Sequence, residues 1–238
     1  DVEAAVRAMA QTFGTLGKRR APNRYEDRRT PAALRSGLKR EYEIESNVPK
    51  AYLLIAFPAT DGRDALTRRS VSFLCQLLRD RLRVDVREKL GAAYSPGAGA
   101  TLSEVYPDDG WIGIQTESEV EKIDSMIDAC LKVADGMTEH AVTEEEFDRQ
   151  RQPTLAAIRD QLRTNAHWVN ALSLLHSKEH VIEDMRAFPT FLNGLKPSDM
   201  DALAKKYLKR ERASIAVVVP TNTGGAKDAV SPAPKKKE

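Results

Sequence analysis

No apolar run in these 238 residues approaches the roughly 20 that a helix needs to cross a bilayer. The opening residues also lack the charged start and apolar stretch of a secretory leader, so the expectation is a soluble chain. Cysteine is scarce. Cys75 and Cys130 are the only two, each among apolar residues at helical spacing, which predicts inert core thiols rather than a disulfide or a metal pair. Neither sign of charge dominates. The formal charge is +2, and Ala226–Glu238, with four Lys against one Asp and one Glu, accounts for all of it. Lys18, Arg19, Arg20, Arg24, Arg28 and Arg29 form a local basic run that reads as a solvated segment. Without a one-sided basic field, nucleic acid is not an expected partner.

What the sequence does have is alternating helix and strand patterning. Val2, Val6, Met9 and Phe13 recur at helical spacing and the pattern ends at Gly14 and Gly17, so a helix is expected over 1–17, already under way at its start and without an N-cap. Residues 18–38 are polar and basic, contain Pro22 and Pro31, and read as a linker. From Lys39 the pattern turns to strands. Tyr42 and Ile44 alternate with charges, and Ala51–Phe57 is a nearly continuous apolar run of strand formers. Val71, Leu74, Leu78, Leu82, Val86 and Leu90 then mark one face of a long helix, with Gly91 as its stop.

Ala93–Leu102 and Trp111–Thr116, joined by the turn-rich Tyr106–Gly110, predict an antiparallel hairpin. Ser118 with Glu121, and Thr143 with Glu146, have capping-box spacing, so helices are expected to begin at both. The second is expected to be interrupted or kinked at Pro153. Further helical pattern runs through Trp168–Leu175 and Met200–Leu208, and Ala213–Val219 supplies a last buried strand. Strands adjacent in sequence pair by short turns while helices collect in blocks. That order predicts an α+β fold, a two-layer sandwich with an antiparallel or mixed sheet and helices packed on one face, occupying 39–220. Residues 221–238, rich in Gly, Pro, Ala and Lys, read as a disordered tail.

The segment Val86-Arg87-Glu88-Lys89-Leu90-Gly91-Ala92-Ala93-Tyr94-Ser95-Pro96 ends the long helix and enters a strand. It resembles the Arg/Tyr motif in the C-terminal half of the pitrilysin/insulinase family of zinc metallopeptidases, the inverzincins. The likeness extends over Glu41–Pro220 and includes the Tyr-Pro-Asp-Asp-Gly turn at Tyr106, the Thr-Glu-Glu-Glu helix start at Thr143, the Asn-Ala-His-Trp stretch at Asn165 and the valine-rich last strand. It is closest in character to the large bacterial members. The opening helix, with Gln11-Thr12-Phe13-Gly14, resembles the last helix of a preceding unit in such four-unit proteins, which would make 1–17 a remnant of that unit.

The resemblance implies a zinc-free domain whose partner is the zinc-bearing N-terminal half of the same protein or a partner subunit. No cofactor is implied in this chain. The implied role is to complete a chamber for a peptide substrate, with Arg87 and Tyr94 close together on an exposed concave surface, so that the isolated chain is inactive. Bacterial periplasm and cytoplasm both fit. A phenol O–H at Tyr94 suits stabilisation of a tetrahedral oxyanion, and the fixed donor fork of Arg87 suits gripping substrate carbonyls. On residue type alone the pair reads as a solvated arginine at a helix end and a half-buried strand tyrosine, and it is the surrounding string that turns the reading toward the family pair. The alternative at the level of the domain is a catalytically inactive scaffold of the same family.

A second motif competes. His176-Ser177-Lys178-Glu179-His180 spells the inverzincin zinc signature, in which two His one helical turn apart hold the metal and the Glu activates water. It falls after the Arg/Tyr segment rather than before it, at an expected helix end, with only Glu211, Asp228 and Glu238 well downstream as a third ligand. His176, Glu179 and His180 are therefore expected to be surface residues and not a metal site.

Overall fold

The computed structural model describes residues 1–17, 25, 28, 36–90, 96–175, 178 and 180–221, the side chains of 87–90 excepted. The expected linker and tail fall largely outside this range, as does the helix stop at Gly91. The chain divides into two compact units, Asp1–Thr30 and Pro31–Glu238. In the first, helix α1 spans Val2–Thr12. The expected uncapped start is corrected here, because Asp1 is the N-cap: its carboxylate accepts from the Glu3 N–H at 3.0 Å and the Ala4 N–H at 3.4 Å, satisfying donors that a helix start leaves free.

The second unit is built on a five-stranded mixed sheet in the order β1-β5-β2-β4-β3. Its strands are β1 (Lys39–Ile44), β2 (Ala51–Pro58), β3 (Gly97–Leu102), β4 (Gly110–Ser118) and β5 (Ser214–Pro220). β5 runs parallel to β1 and antiparallel to β2, and the expected β3–β4 hairpin is antiparallel. The helices are α2 (Ala65–Leu90), α3 (Ile123–Glu139), α4 (Glu144–Gln161), α5 (Asn165–Leu174), α6 (Val181–Gly194) and α7 (Pro197–Tyr207).

Strand alternation divides the sheet into two faces. On one, Leu53, Ile55, Phe57, Ile112 and Ile114 are fully buried against the helices. The apolar stripe of α2 meets them: Val71, Leu74, Leu78, Leu82 and Val86 have no exposed surface. Each such side chain contributes about 1.5–3 kcal/mol through removal from water. On the other face Tyr52 donates its hydroxyl to Gln115 Oε1 at 3.0 Å, and the Trp111 ring lies over Gly113. A Cβ at Gly113 would sit 2.3 Å from that ring, so only glycine admits the tryptophan there.

Three local expectations need correction. Ser118 does not cap a helix. It ends β4, its hydroxyl is buried without a partner among the described residues, and a 3-10 turn at Val120–Lys122 intervenes before α3. Strand pairing with Ala51 claims the residue that local spacing assigns to a cap. Pro153 does not interrupt α4, which runs through it. Helix α6 was not expected, because Pro189 sits inside it and masks its periodicity. It is docked by Arg69 of α2, whose guanidinium lies 4.3 Å above the Phe188 ring and donates to the Asp184 carbonyl. The Thr143/Glu146 capping box is formed as expected.

Candidate peptide-contacting site

Arg87 occupies the last turn of α2; its side chain and the whole of Tyr94 lie outside the described residues. The flanks of the motif are well defined. Val86 is fully buried at the helix side, Pro96 is buried at the strand side, and Gly97 begins β3. The motif therefore joins the end of the longest helix to an edge strand of the sheet.

The helix surface that leads to Arg87 carries a feature that the sequence reading passed over. Arg79, Arg83 and Arg87 are four residues apart, which on a helix is one stripe. Arg79 donates from Nε and Nη2 to the Ala98 carbonyl of β3, at 3.2 and 2.6 Å. Between α2 and α4 a cleft of about 510 Å³ is lined by Ser72, Gln76, Arg79, Asp80, Arg83 and Gln150. Its floor is tied together by Asp80, which accepts from Arg83 Nη2 at 3.1 Å and from Arg149 Nε and Nη2 at 3.0 and 2.8 Å. The Asp80 contact pushes Arg149 above the usual guanidinium value. One carboxylate thus serves two arginines here, and Arg79 adds a third cation. The spacing Arg-x₃-Arg-x₃-Arg was the signal that could have found this surface.

Below the cleft, Arg81 forms a bidentate pair with Glu146, 3.0 Å on each side, and donates to the Gly136 carbonyl at 3.1 Å. Partial burial works to raise the Glu146 carboxyl, but Arg81 and the Thr143 N–H outweigh it and hold it below its ordinary value. This pair locks α2, α3 and α4 together and gives the site a rigid back. Cys75 and Cys130 are buried free thiols, both pushed up to about 12 by burial, as expected of inert core residues.

Of the competing motif, His176 and Glu179 lie outside the described residues. Lys178 between them belongs to no helix and pairs with Glu104, and His180 is exposed at the start of α6. The zinc signature needs both histidines one helical turn apart. Among the described residues no group of three His, Cys, Asp or Glu is placed to hold a metal ion, and no helix is long and apolar enough to cross a membrane.

The second unit is thus a five-stranded mixed sheet layered with helices, and the Val86–Pro96 segment lies in sequence between the longest described helix and strand β3. The chain belongs to the family described as Peptidase M16 inactive domain, which matches residues 1–153; this is the pitrilysin/insulinase family to which the sequence resemblance pointed. It is similar to the chloroplastic stromal processing peptidase of Oryza sativa subsp. indica, 30% identical over 108 residues, which are 45% of this chain and 9% of that protein. In fold it is similar to the peptidase M16 inactive domain from Pseudomonas fluorescens, with a TM-score of 0.71 and 21% identity over 93% of this chain and 52% of that one. The periplasmic protease PqqL from Escherichia coli is similar too, with a TM-score of 0.70 and 17% identity over 92% of this chain and 24% of that one. The chain thus corresponds to about half of the first structure and to a much smaller part of the rice peptidase.

Proposed function

We infer that this domain is the substrate-binding, chamber-completing half of a zinc-dependent endopeptidase, with Arg87 and Tyr94 contacting the peptide. Zinc and its activated water belong to a separate domain, so the work of this chain is to bind and orient. Tyr94 donates its phenol O–H to the oxygen on which negative charge develops, and Arg87 holds substrate carbonyls in register.

The observation that supports this best is the position of the Val86–Pro96 motif in a member of this family. It joins α2, anchored by Val86 and Leu82 with no exposed surface, to an edge strand, beside a cleft carrying Arg79 and Arg83. A rigid helix end suits precise presentation of a donor.

The test is reconstitution with the zinc-bearing half. Tyr94→Phe removes one donor O–H and is expected to lower turnover by roughly 10²–10³ with folding nearly unaffected. Arg87→Ala should raise KM as well as lower turnover. Full activity in both variants would replace this reading with that of an inactive scaffold. Alone, the chain is expected to cleave no peptide.

A further inference from the structure

The hydrogen-bond parity of the sheet exposes a second surface. Ser103 N–H donates to the Asp109 carbonyl at 2.8 Å, which places 103 and 109 in a hydrogen-bonded pair of the antiparallel ladder. With the register Gly97↔Gln115 to Leu102↔Gly110, the odd residues Gly97, Gly99 and Thr101 then bond to β4. The even residues Ala98, Ala100 and Leu102 direct N–H and C=O away from it, because the two kinds of pair alternate. The Ala59 N–H donating to the Gly110 carbonyl at 2.8 Å fixes the same parity from the β2 side of β4.

β3 is the last strand of the sheet among the described residues, so no further strand pairs with these outward groups there. At one end the Gly62 N–H donates to the Ser103 carbonyl at 2.8 Å, closing the edge beside Leu102. At the other, Arg79 covers the Ala98 carbonyl. Between them the outward N–H groups of Ala98 and Ala100 and the carbonyl of Ala100 have no partner among the described residues. Gly99, Ala100 and Thr101 are exposed, and a Cβ at Gly99 would meet nothing within 4 Å. Between Arg79 and Gly62 no charge, proline or bulky side chain of the strand itself guards this stretch, although unprotected edges invite pairing.

We propose that this edge takes an extended peptide as a sixth strand, with an acidic side chain of that peptide lying over Arg79 and Arg83. Alternate side chains of an added strand fall on the helix side of the sheet, where Ala98 and Ala100 point and where the cleft begins. There three arginines, Arg79, Arg83 and Arg149, face two carboxylates, Asp80 and the more distant Glu145, which lies 4.0 Å from Arg149. Cation excess selects an anionic side chain, and the main-chain ladder leaves the rest of the sequence free. The inference rests on the proposed role in peptide binding but involves neither Arg87 nor Tyr94.

The test uses the full chain and a labelled ten-residue peptide of alternating Val and Thr carrying a central Glu, followed by fluorescence anisotropy and amide hydrogen exchange. The expected result is saturable binding that slows exchange at Ala98 and Ala100 by tenfold or more. Ala100→Pro deletes an outward N–H and no β4 bond, so it should weaken binding about tenfold or more while Gly99 and Thr101 keep their protection. Should that variant misfold, N-methylation of the peptide supplies the same comparison: methyls on one alternate set of amides abolish binding and on the other leave it intact. Arg83→Glu should weaken the Glu peptide about fivefold and favour a Lys peptide.

No added protection at Ala98 and Ala100, or unchanged binding by folded Ala100→Pro, overturns the inference. Protection that grows with chain concentration and without peptide overturns it in favour of a second copy on the edge. A loss of turnover in Tyr94→Phe alongside unchanged binding by Ala100→Pro would uphold the proposed function and sink this edge. Intact Ala100-dependent binding with full activity of Tyr94→Phe would do the reverse.

Discussion

The two edges of the sheet are opposites. β1 reads Lys-Arg-Glu-Tyr-Glu-Ile and is exposed along its whole length, with charge at 39, 40, 41 and 43 and Lys39 reaching Asp124 of α3 at 3.2 Å. β3 reads Gly-Ala-Gly-Ala-Thr-Leu, carries no charge, and lies against α2, whose Arg79 grips it. Charge along an edge repels another strand, since pairing would strip water from it. Small neutral residues carry no such penalty. A sheet guarded on one side and bare on the other has a direction in which it can accept a strand, and the bare edge is the strand that the Val86–Pro96 segment precedes in the chain.

The largest effect is expected from breaking the support of the bare edge. Leu78, fully buried on α2, should cost about 2–5 kcal/mol as Leu78→Ala in urea unfolding, and native-state exchange should show β3 opening more readily than β1. Unchanged stability would mean that α2 does not hold this side.

Acid should loosen the same side next. Glu146 is held below its ordinary value in the folded chain, so the unfolded chain binds the proton more readily. The stabilisation is complete above the ordinary carboxylate range near 4.3 and is lost as pH falls through the lowered folded value. Glu146→Gln should remove about 1–3 kcal/mol at neutral pH and flatten the acid limb of the stability profile. An unaltered limb would assign that limb to other carboxylates.

Giving β3 the guard of β1 tests the comparison itself. Ala100→Lys places a charge on the open edge and should weaken peptide binding about tenfold, near 1.4 kcal/mol, with little change in unfolding. The smallest effect belongs to the guarded edge: Lys39→Ala removes an ion pair that is 62% and 83% exposed and should cost about 0–1 kcal/mol. A larger loss would show that β1 depends on that pair for its place in the sheet.

Much of this architecture is legible in the residue order because it is local. The β2 run Ala51–Phe57, the α2 stripe from Val71 to Val86 and the Thr143/Glu146 cap are each written within one element, where periodicity and hydrogen-bond spacing decide the outcome. Ser118/Glu121 carries the same spacing as Thr143/Glu146 and forms no cap, because a long-range partner, Ala51, holds Ser118 in the ladder. α6 escaped notice because Pro189 breaks its pattern while Arg69, far away in sequence, secures it. The family motif was readable as a string of residues, whereas the arginine stripe beside it was visible in sequence but meaningless until Arg79 was seen on the Ala98 carbonyl.

By itself, then, the sequence determined the kinds of element, the apolar faces and the family, since each depends on neighbours within a turn or two of chain. Only the tertiary structure decided that β5 enters between β1 and β2, which leaves β1 and β3 as the edges. Strand order is set by contacts between residues up to 177 positions apart, such as Thr221 with Ile44. No local propensity encodes which backbone groups such contacts will leave unpaired, and among the described residues that remainder includes the outward N–H groups of Ala98 and Ala100 and the Ala100 carbonyl.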